Sequence, residues 1–87
     1  MYSASKIIDR QVGRNAQLFA HAIGEMPSPE KRFPFLRILI SLVESAHSDW
    51  AHSPGKGQLI ADLIVKLSEG SIDGSEVAEV VRVRDME

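Results

Sequence analysis

The chain has 87 residues, no cysteine, 44% apolar and 25% charged residues, and a net charge of −2. That length accommodates one core and leaves no room for a second, so residues 1–87 are read as a single helical domain. The missing cysteines exclude disulfides and thiolate metal centres, and the acidic total argues against a generic nucleic-acid binder.

A domain this short buries only about 60–65% of the surface its unfolded chain exposes, so a partner subunit is the extra support to expect. Lys6, Asp9, Arg10 and Arg14 interrupt the N-terminal stretch, which therefore lacks the apolar run of a signal peptide. The densest apolar segment, Phe33 to Val43, is broken by Arg37 and Ser41 and falls short of the roughly 20 residues that span a bilayer. A soluble, cytoplasmic protein without membrane association is expected.

In the first segment Ile8, Val12, Ala16, Phe19, Ile23 and Met26 share one side of a helical wheel, with Lys6, Arg10, Arg14, Gln17 and His21 opposite. The spacing predicts a first helix over 4–25, ended by Met26-Pro27-Ser28-Pro29, because a residue before proline is pushed out of the α region. Ser28-Pro29-Glu30 reads as a fresh start, with Ser28 as N-cap and Pro29 at the first helical position. Pro34 then leaves two alternatives: a separate short helix before a main one, or one helix with a proline in its opening turns.

Phe35, Leu36, Ile38, Leu39, Ile40, Leu42, Val43, Ala46 and Trp50 spread over more than half of the second helix's circumference. An ordinary surface helix has an apolar stripe of roughly 100° or a little more, so this one is expected to be covered on two sides. His52-Ser53-Pro54-Gly55-Lys56-Gly57 is a loop by composition. Leu59, Ile60, Leu63, Ile64 and Leu67 predict a third helix over 57–69, with Gly70 placed to end it in the left-handed conformation. Asp73 with Glu76 three residues on resembles a capping box for a fourth helix bearing Val77, Val80 and Val81. Val80-Val81-Arg82-Val83-Arg84 also has strand character, but no other segment offers it a partner. The fold expected is all-α, a small bundle of three to four helices around a central apolar helix 2.

Candidate chemistry is sparse. His47 and His52 are five residues apart and point about 140° from each other on a continuous helix, unlike the His-Glu-x-x-His spacing of helical zinc sites. A metal or small-molecule site on His21, His47 and His52 therefore requires the second helix to end between the last two. Pro54-Gly55-Lys56-Gly57 lacks the pattern of a phosphate-binding loop, and no serine stands in a nucleophile elbow. Asp73, Glu76 and Glu79 fit the dipole of a helix start. No catalytic residue, cofactor or metal is assigned.

Residues 1–37 hold six basic against three acidic side chains, while residues 69–87 hold two against six. This gradient, and the ridge of Lys6, Arg10 and Arg14 extended by Gln17 and His21, would suit phosphates, an acidic partner or the tail of a second copy. Few strong charges and no interleaved aromatics count against nucleic acid. Val12-Gly13-Arg14-Asn15-Ala16-Gln17 and Pro29-Glu30-Lys31-Arg32 resemble the opening of a family of uncharacterised bacterial proteins, a resemblance that implies no residue roles. The function expected is a non-enzymatic protein-interaction module that forms a homodimer through Phe35, Leu39, Leu42, Val43, Ala46 and Trp50. The alternatives are a nucleic-acid-associated regulator using the basic ridge and a metal- or small-molecule-binding protein using the histidines.

Overall fold

The computed structural model describes residues 8–87, and residues 1–7, with Lys6, lie outside it. Four helices follow in order: α1 (Gly13–Gly24), α2 (Pro29–Ala46), α3 (Lys56–Leu67) and α4 (Gly74–Asp85), with a 3-10 turn over Ser48–His52 between α2 and α3. No strand occurs among the described residues.

The first helix is shorter than its periodicity predicts. Asp9 folds residues 9–12 into a turn, its Oδ1 accepting the backbone N–H groups of Gln11 and Val12 at 2.8 and 3.1 Å. Gly13 then adopts φ +84, a left-handed value that favours glycine, and the helix starts only there. One consequence is that residues 8–12 turn back over α1 instead of extending it. Gln17, placed on the polar side by the helical wheel, is buried at 1% exposure, its Oε1 accepting the N–H of Ile8 at 2.8 Å.

α2 begins as its sequence dictates, with Ser28 Oγ accepting the Lys31 N–H at 3.3 Å and Pro29 at the first helical position. Pro34 lies inside this single helix. Its missing N–H forgoes the bond to the carbonyl of Glu30, a solvent-exposed residue where water can take its place. The helix stops at Ala46, so Trp50 belongs to the 3-10 turn and not to α2. α3 ends through left-handed residues at Glu69 (φ 53) and Gly70 (φ 87), with the Gly70 N–H donating to Val65 O at 2.9 Å. At α4, Asp73 caps Ser75 N–H at 3.0 Å, but Glu76 does not complete a capping box, because its carboxylate is taken by Arg32.

One core joins Ala16, Ala20 and Ile23 of α1, Leu36, Leu39, Ile40 and Val43 of α2, the inner face of α3, and Val77, Val80 and Val81 of α4. Two antiparallel hairpins build it. In α1–α2, Phe19 meets Phe35 edge-to-face at 6.4 Å between centroids, and Gln11 reaches Ala46 O. In α3–α4, Gly74 sits against Val65 and Gly57 against Val81. α2 packs chiefly on α1 and α4 and only lightly on α3. The most enclosed helix is α3, with five of its twelve residues buried against four of eighteen in α2.

Candidate functional site

α2 carries two apolar stripes. Leu36, Leu39, Ile40 and Val43 point into the core at 0% exposure. Phe35, Ile38 and Leu42 point outward at 39, 51 and 46%. Together with Lys31 before them and Ser45 after, these outward residues recur at alternating intervals of four and three, the spacing of a heptad seam. α1 adds the part-buried Phe19 that touches Phe35, and elsewhere on α1 Leu18 is 43% exposed. Towards the C-terminal end of α2, Leu42, Ser45 and Ala46 face Val12, Asn15 and Ala16 across an open cleft of about 380 Å³.

This arrangement corrects the set named from the sequence. Leu39 and Val43 are core residues, Ala46 and Trp50 are half-buried, and only Phe35 and Leu42 of the six are exposed. Ile38, the most exposed of the stripe, was missing from that set. A helical wheel separates faces 100° apart but does not say which apolar face turns inward, so both stripes look alike until neighbours are placed.

The basic ridge does not form along one helix. Arg10 sits in the turn before α1 and Arg14 on α1 itself, while Gln17 is buried and His21 Nε2 lies 3.0 Å from Glu69. Lys6 lies outside the described residues. The charge gradient closes largely within the chain instead. Arg32 bonds Glu76 through Nε (2.7 Å) and Nη2 (2.9 Å), and its third nitrogen, Nη1, donates to Met26 O. Arg37 grips Glu87 at 2.6 and 2.8 Å. From the other direction Arg84 holds Glu44 at 2.6 and 2.8 Å, and Lys56 stands 3.4 Å from Glu44 and 3.5 Å from Asp85. The lysine of the glycine loop thus faces carboxylates of α2 and α4.

These pairs shift the carboxyls. Arg84, with help from Lys56, holds the Glu44 carboxyl below its ordinary 4.5, and Arg84 holds Asp85 below 3.8. Burial pushes the Asp9 carboxyl up, but the hydrogen bonds from Val12, His47 and Gln11 together outweigh it, leaving Asp9 below 3.8.

The histidines are not brought together, and among the described residues no three His, Asp or Glu side chains converge on a common point. His52 is exposed in the 3-10 turn. His47 ends α2, its N–H donating to Val43 O at 2.9 Å, its Nε2 standing 2.9 Å from Asp9 Oδ2 and its ring stacked on Trp50 at 4.1 Å. An Asp–His pair can orient an imidazole for proton transfer. Here Trp50 covers one ring face, Asp9 takes a ring nitrogen and the side chain is 9% exposed, so the pair tethers residues 9–12 to the end of α2. The sequence signal for it was Asp9, whose short carboxylate ahead of a glycine favours a local turn.

No helix among the described residues is long and apolar enough to cross a membrane. No family model, curated protein or solved structure matches the chain.

Proposed function

We propose that the protein works by binding protein, as a homodimer formed through the outward face of the α1–α2 pair. The observation behind this reading is the stripe Phe35, Ile38 and Leu42, which stays 39–51% exposed after α1, α3 and α4 have packed. Three large apolar side chains in register on one helix lose contact with water when an equivalent helix covers them, at about 25 cal/mol per Å² removed. A two-fold interface matches a surface with itself, so a single such face suffices. Light scattering coupled to gel filtration over a dilution series tests this. A dimer for the parent chain and a folded monomer for Ile38→Glu are expected; a monomer at every concentration overturns it. Leu39, as a core residue, is unsuited to this test.

The nucleic-acid alternative drew on the basic ridge of the first segment, which the turn at residues 9–12 and the burial of Gln17 interrupt.

A further inference from the structure

The outward stripe has a charge at each end. Lys31 opens it in the first turn of α2, and Asp49 lies in the 3-10 turn just past its last turn. Both are exposed, and neither makes an ion pair among the described residues. Arg32, Arg37 and Glu44 of the α2–α4 seam, by contrast, are paired. Between the two charges, Phe35 and Leu42 flank Ile38 at three and four residues, so the stripe is nearly symmetric in apolar character about Ile38 and antisymmetric in charge.

From this pattern we propose that the second copy lies antiparallel, with the two α2 helices crossing at Ile38 and Lys31 of each copy facing the Asp49 end of the other. The inference rests on the self-association reading above and specifies its geometry. Lys31 lies seven residues before Ile38, about 10 Å along the helix axis, and Ala46 eight residues after it, about 12 Å the other way. A two-fold axis through Ile38 therefore sets Phe35 against the partner's Leu42 and Lys31 beside the last turn of the partner's α2. That turn carries the negative end of the helix dipole, with Asp49 next to it. Ser45, small and at the fifth place of the stripe, leaves room for the lysine stem. A parallel pairing sets Lys31 against the partner's Lys31 and Asp49 against its Asp49, and places like charges at both ends.

The test is a charge swap across copies. Lys31→Glu and Asp49→Lys each turn both end contacts of an antiparallel dimer repulsive, and each is expected to weaken dimerisation by roughly 3- to 30-fold, as expected for two exposed pairs. A 1:1 mixture of the two variants restores attraction at both ends of a mixed dimer, so mass and affinity should return to parental values, read by light scattering and sedimentation, with circular dichroism verifying that each variant is folded. If Ile38→Glu abolishes the dimer while the charge variants behave as the parent chain, or while their mixture shows no recovery, the antiparallel arrangement is overturned and self-association stands. If the parent chain is monomeric throughout, both fall.

Discussion

The two long faces of α2 are alike in composition and opposite in situation. Leu36, Leu39, Ile40 and Val43 reach no water, while Phe35, Ile38 and Leu42, on the same turns of the same helix, keep 39–51% of their surface. The difference teaches that apolar content along a helix sets how much surface it must hide, and its neighbours set where. α1 and α4 bury one face, and the other keeps much of its surface in water.

The sharpest way to break this comparison is to place the same kind of lesion on each face. Leu39→Ala removes buried methylenes and leaves a cavity, and should lower unfolding free energy by about 2–5 kcal/mol in urea titrations. Ile38→Ala should move it by only about 0.5 kcal/mol in the monomer, since exposed positions contribute little. Comparable losses at both sites would mean that the two stripes are not distinct.

Next in size is Gly24→Ala at the end of α1. A Cβ built there falls 2.1 Å from Ser71 Oγ and 2.8 Å from its Cβ, so the close approach of α1 to the α3–α4 turn must open. A loss of about 1–3 kcal/mol by thermal melting is expected.

The seam between α2 and α4 should matter less. Arg84→Met removes a part-buried two-bond contact to Glu44 and should cost about 1–2 kcal/mol. The same contacts fix the acid response. Glu44, Asp85 and Asp9 have folded carboxyl values below their ordinary ones, so the unfolded chain takes up protons first as pH falls. Their contribution to stability is complete above about pH 5, and is lost as pH drops through the ordinary 4.5 and 3.8 toward the lower folded values. Urea midpoints should fall below pH 4, with a shallower fall for Glu44→Gln. A midpoint that rises on acidification contradicts the assignment.

Much of this fold was legible in the sequence. Ser28-Pro29 set the start of α2, Gly70 the end of α3 and Asp73 the start of α4, because each end is fixed by a local cap or a backbone conformation. The start of α1 was not legible, since the apolar period runs unbroken through Ile8 and Val12, while Asp9 and Gly13 impose a turn that periodicity does not register. The charge gradient was visible, but its closure was not. Which carboxylate meets Arg32 or Arg37 depends on α4 lying alongside α2, 44 and 50 residues away in sequence. The outward stripe of α2 was half legible, since the set named from the sequence held Phe35 and Leu42 but not Ile38.

The seam has a kinetic consequence. Arg32 and Glu76 join the starts of α2 and α4, and Glu44 and Arg84 join their far ends, so these helices run parallel while each hairpin is antiparallel. Hairpins close over short loops, whereas the parallel seam needs both hairpins formed before its ends meet. Docking of the two hairpins is therefore the expected late step, and Arg84→Met should accelerate unfolding more than it slows folding in stopped-flow measurements.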